Sequence, residues 1–226
     1  MSIGQIDLSP ILGFSGWAIY TAMGIAAAYG VYCFVVLMRR VVQKSFPSRE
    51  SAESFLDDIG EQLESSNFDG ALELCDSPEL WARAVPQLVI VAVENRNKPI
   101  RKIRQMLSEF FEREIIADFD ARMAWLNTIV KAAPMLGLLG TVVGMIGAFR
   151  TIAGSGETGV QPSELADDIS LALITTACGL AIAIPIVIFS NVANARISKL
   201  QDSVDKELGV VLDDLEAVQV RGGLPK

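Results

Sequence analysis

The chain has 226 residues, of which 51% are hydrophobic and 20% are charged, with 27 acidic residues against 19 basic ones. Its net charge of −8 argues against nucleic acid as a partner, because binding to phosphates needs a basic surface. The sequence contains no histidine, the commonest general base and metal ligand, and we therefore expect neither a metal site nor a cofactor. Its three cysteines are widely spaced, which predicts buried thiols rather than a disulfide framework.

The charged residues are segregated along the chain instead of being mixed along every helix. Three stretches carry no charge at all, namely residues 8–38, 132–149 and 169–195. Since about 20 helical residues cross a hydrocarbon core of about 30 Å, these stretches predict transmembrane helices. We expect an all-α membrane protein with long cytoplasmic helical extensions and three transmembrane helices, at 16–38, 128–150 and 169–195.

The positions of Lys and Arg predict how the spans are oriented. Neither residue type occurs in the N-terminal tail, 1–15, or in the loop between the second and third spans, 151–168. Basic residues directly follow the first and third charge-free stretches, and Lys131 directly precedes the second stretch. Because basic segments stay on the cytoplasmic side, we expect the N-terminus and that loop to be external (periplasmic), with 39–131 and 196–226 in the cytoplasm.

The first cytoplasmic region predicts short helices divided by turn signals. Pro47 and Ser48 open one helix, in which apolar residues recur at helical spacing. Asn67 can cap a short helix over 68–75, and Pro78 opens a further helix over 78–94.

Two longer helices are predicted around the second and third spans. Pro99 begins a run with neither Pro nor Gly until Pro134, which predicts one uninterrupted helix that enters the membrane. Beyond the third span, apolar residues at intervals of four and three predict a stripe suited to packing on a neighbouring helix: Leu200, Val204, Leu208, Val211, Leu215 and Val218.

The second span carries small residues on one face of its helix. Gly137, Gly140, Gly144 and Gly147 recur at intervals of three and four, with Thr141 beside them. Small faces let helix backbones approach closely in a membrane, so close packing alone would explain this pattern. A Thr141 hydroxyl that returns to a backbone carbonyl would fit the same interpretation.

The third span carries a second small face, at Ala172, Thr176, Gly179 and Ala183, and Pro185 can kink its helix. None of the three charge-free stretches, 8–38, 132–149 and 169–195, contains Asp, Glu, Lys, Arg or His. Ion pathways in membranes normally need such a group, so an ion path here would need a carboxylate from a partner chain.

Two segments of the sequence, 133–145 and 172–185, closely resemble the ExbB/TolQ/MotA proton-channel family. The three-span layout is similar to the ExbB/TolQ branch of that family. The resemblance implies an inner-membrane homopentamer whose second and third spans line a central pore. It also implies a partner, a single-span ExbD/TolR-like protein that brings the proton-binding Asp into that pore.

The resemblance further implies roles for individual residues. Thr141 and Thr176 correspond to the family's pore-lining threonines, whereas Leu171 stands where ExbB and TolQ commonly have Glu. That departure gives weight to the neighbouring Thr175, so the candidate ion path consists of Thr141, Thr175 and Thr176. The residues expected to set helix packing around the pore are Pro134, Gly137, Gly140, Gly144, Ala172, Gly179, Ala183 and Pro185.

Two functions are compatible with these patterns. The first is a subunit of a motor complex that couples proton flow down the motive force to mechanical work in the cell envelope, for example energised outer-membrane transport. The alternative is a passive oligomeric membrane scaffold, in which the small faces serve assembly alone. We do not expect an enzyme, because no span supplies a base, a metal ligand or a charged partner for a nucleophile.

Overall fold

The computed structural model describes residues 9–154 and 162–221, and within these ranges the chain is helical with short connections and no strand. The α-helices, in chain order, are α1 (Ser9–Lys44), α2 (Arg49–Glu64), α3 (Phe68–Cys75), α4 (Ala84–Glu94), α5 (Ile100–Phe110), α6 (Ala117–Gly154) and α7 (Pro162–Arg221). A π-helical segment, Phe111–Ile116, joins α5 to α6. Among the described residues, three segments are helical, long and apolar enough to cross a membrane: Trp17–Lys44, Ile100–Gly154 and Leu165–Arg221. The prediction of an all-α protein with three membrane helices is thereby confirmed.

Helices also occupy parts of the segments that the sequence predicts as tail and loop. Helix α1 begins at Ser9, within the predicted tail, and residues 1–8 of that tail lie outside the described residues. In the predicted loop 151–168, α6 continues to Gly154 and α7 starts at Pro162. Proline suits the first turn of a helix, where its missing N–H has no partner to lose. The centre of that loop, 155–161, is outside the described residues as well.

The chain divides into two compact units. The apolar unit combines Met1–Phe34 with Met123–Asn191, and the polar unit combines Val35–Arg122 with Val192–Lys226. Each unit therefore takes its residues from both halves of the chain, because α1, α6 and α7 contribute to both.

Side-chain caps define the start of two helices in the polar unit. The Ser48 hydroxyl accepts a hydrogen bond from the Ser51 N–H at 3.1 Å, at the start of α2. The Asn67 side chain accepts one from the Gly70 N–H at 3.2 Å, which confirms the predicted cap of α3. Each such bond satisfies a backbone donor that the first turn of a helix leaves without a partner.

The prediction of a helix over 78–94 is wrong in its first six residues. Helix α4 begins at Ala84, and the residues before it form turns. The reason is Pro86: a helix that began at Pro78 would place this second proline in its interior, where it removes a hydrogen bond. Starting at Ala84 puts Pro86 in the first turn instead. The Arg83 side chain helps to hold the junction, since it donates to the Ser45 carbonyl at 2.7 Å.

The predicted uninterrupted helix after Pro99 contains the π-helical segment. Buried residues before, within and after this segment recur every four positions: Ile103, Leu107, Phe111, Ile115 and Phe119. In an α-helix of about 3.6 residues per turn, such a row turns by about 40° at each step and leaves the core. The wider π turn offsets this rotation and allows the adjacent residues Ile115 and Ile116 both to be buried.

The stripe predicted on α7 lies in the core of the polar unit. Leu200, Val204, Leu208, Val211 and Leu215 are buried, and the last residue of the predicted stripe, Val218, is half-buried. The end of this helix is tied to the α4–α5 connection by a buried amide. The Nε2 atom of Gln219 donates to the carbonyl oxygens of Arg96 at 2.5 Å and of Lys98 at 3.0 Å.

The ion pairs that the structure describes all belong to the polar unit. The Asp118 carboxylate forms two ion pairs, one with a guanidinium nitrogen of Arg40 at 3.0 Å and one with a guanidinium nitrogen of Arg122 at 3.2 Å. Burial alone would raise the pKa of this carboxyl group, but the two guanidinium groups together bring it below its ordinary value. Nearby, the Lys44 ammonium donates to Gln87 at 2.7 Å, and partial burial lowers the pKa of this lysine.

In the apolar unit, α1 packs against the span regions of α6 and α7. The rings of Phe34 and Phe189 stack with their centroids 4.5 Å apart. A Cβ placed on Gly30 would lie 2.7 Å from Ile186, so the backbone of α1 is in close contact with α7. Many large apolar side chains point away from this small core, and they include Leu138, Val142 and Phe149 on α6 and Leu173, Ile184 and Ile188 on α7. Such a surface is suited to lipid or to other membrane helices rather than to water.

Candidate functional site

The glycine face of α6 lies directly against α7. A Cβ placed on Gly137 would lie 3.0 Å from the Thr175 carbonyl oxygen, and one on Gly144 would lie 2.7 Å from the Ala172 Cβ. A Cβ on Gly140 would overlap the hydroxyl oxygen of Thr175. These positions have no room for a side chain, because the two backbones approach more closely than any larger residue would allow.

The small face of α7 completes the contact. A Cβ on Gly179 would lie 2.7 Å from the Ala133 carbonyl oxygen and 3.3 Å from the Gly137 Cα. Ala172 and Ala183 are both buried on the same helix. Glycine and alanine thus alternate with threonine along this contact, which brings hydroxyl groups next to backbone carbonyl groups.

Two adjacent threonines on α7 share one acceptor on α6. The hydroxyl oxygens of Thr175 and Thr176 lie 3.3 Å and 3.2 Å, respectively, from the Gly137 carbonyl oxygen. The Thr175 hydroxyl also lies 2.7 Å from the Ala172 carbonyl oxygen in its own helix. A carbonyl oxygen has two lone pairs, so Gly137 can accept a bond from a side chain while keeping its own helical bond. The side chain of Thr175 is buried, whereas that of Thr176 is half-buried.

Thr141 does not join this pair through a hydrogen bond in the structure. Its half-exposed hydroxyl donates to the Leu138 carbonyl oxygen of its own helix at 2.7 Å. The structure therefore brings together Thr175 and Thr176 of the three candidate ion-path residues, and it satisfies Thr141 locally. Side chains of this kind can exchange such a local bond for one to water or to a partner chain.

The two prolines of the candidate set lie inside helices rather than at their ends. Pro134 is in α6 and Pro185 is in α7. Each lacks the N–H that would bond to the preceding turn, which leaves a carbonyl group one turn earlier without that helical donor. Free carbonyl groups of this kind are found in membrane helices where neighbouring polar groups or water can satisfy them.

A cleft of about 220 Å³ opens beside this contact within the apolar unit. Residues from α1, α6 and α7 line it, and those that matter chemically are Tyr20, Gly140, Gly144, Asp168, Leu171 and Thr175. Sequence reasoning missed Asp168, because it assigned this residue to the end of the external loop. The spacing in the sequence could have indicated it: Leu171 and Thr175 follow Asp168 by three and seven positions, which places all three on one face of a helix.

The chemistry of the site is that of hydroxyl and carbonyl dipoles with one carboxylate at its edge. Among the residues that the structure describes, no group of His, Cys, Asp and Glu side chains could hold a metal ion. Cys178, which follows the two threonines, is a free thiol, as are the buried Cys33 and Cys75. Dipoles of this kind can solvate a proton on water or a monovalent cation, but they do not themselves titrate.

Together, the fold and this polar contact between small-residue faces define a multi-pass all-α membrane protein. The model of the MotA/TolQ/ExbB proton channel family matches residues 81–206, which is more than half of the chain, and the chain belongs to this family. The match includes the paired small faces of α6 and α7 and both of the adjacent threonines.

The chain is also similar to curated proteins. A biopolymer transport protein ExbB homolog of Methanothermobacter thermautotrophicus is 27% identical over 88% of this chain and 70% of its own length. The biopolymer transport protein exbB1 of Vibrio cholerae is 34% identical over 46% of this chain and 47% of its own length. The Tol-Pal system protein TolQ of Haemophilus influenzae is 32% identical over 49% of this chain and 46% of its own length. The chain thus spans less than half of the last two relatives.

Proposed function

We propose that this chain is the oligomeric inner-membrane subunit of an ExbB–ExbD-like or TolQ–TolR-like motor complex. In such a complex, ions flow down the motive force and the flow drives mechanical work in the cell envelope, for example energised outer-membrane transport. Membership of the proton channel family supports this function, as do relatives named for biopolymer transport and for the Tol-Pal system. The observation that carries the proposal is the shared Gly137 carbonyl, to which two hydroxyl groups of α7 point.

The ion path of this proposal uses hydroxyl groups. Thr176 and Thr141 are both half-exposed, so their hydroxyl groups can turn from a backbone carbonyl towards water. Thr175 is buried from most directions but lines the cleft. We expect these three side chains to solvate the ion and its water as it passes. The proton-binding carboxylate at the centre of the path comes from the single membrane helix of an ExbD/TolR-like partner.

We propose an assembly of five copies, and the exposed apolar side chains of the apolar unit support association with other membrane helices. Large apolar side chains are exposed on α6 and on α7, on faces that the packing between these two helices leaves free. Helices of neighbouring copies and the partner helix would cover some of them and lipid would cover the rest. The glycine contacts keep α6 and α7 of one copy together as a rigid pair, which can then line a pore as a unit.

The orientation in this proposal follows the positive-inside rule. Arg39 and Arg40 come directly after the first charge-free stretch, and Arg196 and Lys199 come directly after the third. We place the N-terminus in the periplasm and the C-terminus in the cytoplasm of a bacterial inner membrane. The polar unit, with its paired charges and apolar core, would then be cytoplasmic, and no enzymatic activity is expected of either unit.

One observation favours the alternative function, a passive oligomeric scaffold. Each of the three threonine hydroxyl groups already has a backbone acceptor within 2.7–3.3 Å. Packing alone would need no more than that. The two functions differ in what happens when a hydroxyl is removed without a change of shape.

The experiment is therefore Thr176→Val in the complex purified from its native membrane and reconstituted in liposomes. We expect proton flux under an imposed potential to fall roughly tenfold, because a hydrogen bond to a charged group contributes about 1.5–3 kcal/mol. Thr176→Ser, which restores the hydroxyl, should recover most of the flux.

The matched control is Thr21→Val on α1. The Thr21 hydroxyl also donates within its own helix, to the Ala18 carbonyl at 2.9 Å, and it is not part of the contact between α6 and α7. Flux of the Thr21→Val complex should equal that of the wild type. If Thr176→Val assembles normally and conducts as the wild type does, the ion-path role is wrong and the scaffold is favoured.

A further inference from the structure

One carboxylate in the apolar unit, that of Asp168, does not belong to the proposed ion path of Thr141, Thr175 and Thr176. Asp168 lies on α7, three residues before Leu171 and seven before Thr175. Residues with this spacing share one face of an α-helix, so the three side chains form a row about 10 Å long. All three line the cleft between α1, α6 and α7.

The carboxylate of Asp168 faces α6. Its two oxygens lie 3.8 Å from the position that a Cβ would occupy on Gly147. The Thr151 hydroxyl can donate to its Oδ2 atom at 3.3 Å. Within 9–154 and 162–221, no Lys or Arg nitrogen lies within 4.0 Å of this carboxylate. A half-buried carboxylate without a basic counter-ion is unfavourable among membrane helices, and such groups mark ion pathways.

The cleft offers space between this carboxylate and Thr175. Gly140 and Gly144 form its wall on α6, where they add no side-chain volume. The volume of about 220 Å³ has room for several water molecules, each of which takes about 30 Å³ in the liquid. Water molecules in this space would link the carboxylate oxygens to the Thr175 hydroxyl.

We propose that Asp168 is an ion-loading residue, which takes up a proton or a monovalent metal cation at its end of the cleft and releases it to water beside Thr175. The proposal rests on the function proposed above, since loading is useful only if ions pass through this unit. A proton would leave a hydronium ion and form an O–H bond with a carboxylate oxygen, leaving one water molecule. Release would return that proton to a water molecule in the cleft and restore the carboxylate. A sodium ion would instead exchange part of its hydration shell for the carboxylate oxygens, and no covalent bond would change.

The test is Asp168→Asn in the complex from the native membrane, reconstituted in liposomes. The amide keeps the size of the side chain and an oxygen acceptor for Thr151 but removes the charge. Flux should fall at least about tenfold. Two conditions distinguish the proton from the metal cation: a pH gradient in choline salts, and a Na⁺ gradient at constant pH. If Asp168 loads protons, Asp168→Asn should reduce only the flux driven by the pH gradient. If it loads Na⁺, the variant should reduce only the flux driven by the Na⁺ gradient.

Two further variants separate loading from a structural role. Asp167→Asn is the matched control, since Asp167 is the exposed neighbour on the same helix and is not part of the cleft lining; its flux should equal that of the wild type. The double variant Asp168→Asn, Leu171→Glu returns a carboxylate to the cleft one turn closer to Thr175 and should restore flux. If Asp168 served only to accept the hydrogen bond from Thr151, a carboxylate at position 171 would not restore the flux.

The outcomes separate this proposal from the one on which it rests. Normal flux in Asp168→Asn together with reduced flux in Thr176→Val would overturn the loading role and leave the ion path standing. Normal flux in both variants would overturn both. If Asp168→Asn does not assemble, the double variant decides: an assembled complex that conducts supports loading, and an assembled complex that does not conduct contradicts it.

Discussion

At the scale of single residues, the carbonyl oxygen of Gly137 lies where α6 and α7 pack closely, and it is also the acceptor that the Thr175 and Thr176 hydroxyl groups share. Two hydroxyl groups can reach it only because Gly137 and Gly179 have no side chains and the backbones of α6 and α7 touch. The same closeness makes the contact sensitive to any added volume. It follows that the glycines should be as important for the site as the threonines, although they carry no chemical group.

We expect Gly179→Ala to destabilise the apolar unit. Its added Cβ would lie 2.7 Å from the Ala133 carbonyl oxygen, a backbone atom that cannot move without separating the two helices. Overpacking of this kind costs about 1–3 kcal/mol, which the melting temperature of the detergent-purified complex would report.

The matched control for that substitution is Gly24→Ala on α1. A Cβ on Gly24 would meet nothing within 4 Å and Ala favours the helix over Gly, so the melting temperature should not fall below that of the wild type. Equal melting temperatures for Gly179→Ala and Gly24→Ala would contradict the close contact between α6 and α7.

Glu207 in the polar unit provides a prediction about pH. This side chain is buried on α7, and burial raises its pKa, although the Ser203 hydroxyl donates to it at 2.6 Å and Lys206 opposes the shift. A carboxyl group whose pKa is higher in the folded state than in the unfolded state holds its proton more tightly when the protein is folded. The free energy of unfolding therefore falls as the pH rises above the unfolded-state pKa. Glu207→Gln should therefore melt at a higher temperature than the wild type at pH 7 to 8, and the difference should vanish as the pH falls towards the ordinary value of 4.5.

Glu216→Gln serves as the comparison for Glu207→Gln. Glu216 is an exposed residue on the same helix, so its substitution removes one negative charge without removing a buried one. A gain in melting temperature that is the same for both variants, or that is independent of pH, would show that burial of Glu207 is not its cause.

At the scale of the helices, apolar spacing predicted the packing of α7 in the polar unit from Leu200 to Leu215, and a side-chain cap predicted the start of α3. Both signals are local, since they depend on residues within one or two turns. The start of α4 was not predictable from Pro78 alone, because Pro86 eight residues later excludes that start. The π-helical segment keeps a row of residues at intervals of four in the core. Because this burial depends on tertiary packing, the segment was not predictable from local sequence.

The candidate site divides in the same way. The small faces and the adjacent threonines could be read from spacing, because one helix face is a local property. The shared acceptor Gly137 and the position of Asp168 in the cleft depend on how α6 lies against α7. A charge-free stretch does not give the bounds of a helix. The stretch begins at residue 169, whereas α7 begins at Pro162, six residues before Asp168.

The core stripe of α7 should be sensitive on one side of the helix alone. Val211 is 1% exposed and its neighbour Val210 is 42% exposed, so the pair differs in burial but not in side chain. Val211→Ala should cost about 2 kcal/mol through lost contacts and an unfilled cavity, whereas Val210→Ala should cost less than about 0.5 kcal/mol. Thermal or denaturant unfolding of the two purified variants measures this difference, and equal losses would contradict the assignment of the stripe to the core.

At the scale of the whole molecule, the separation of charge along the chain corresponds to two compact units with different chemistry. The ion pairs described by the structure lie in the polar unit, and the apolar unit holds the contact between small-residue faces. The match to the family model, residues 81–206, draws on both units. Family membership and the charge-free stretch 169–195 together support the central proposal, that the carboxylate at the middle of the proposed ion path comes from a partner chain.

Proton flux into liposomes, with and without a single-span ExbD/TolR-like partner, tests that claim most directly. This chain alone and the complete complex are reconstituted at equal amounts, and flux is recorded under the same imposed potential. We predict flux from the complete complex and little above background from this chain alone, because hydroxyl groups and one carboxylate at the edge of the cleft do not replace the acid in the middle of the path. Flux from this chain alone that equals flux from the complex would contradict the account.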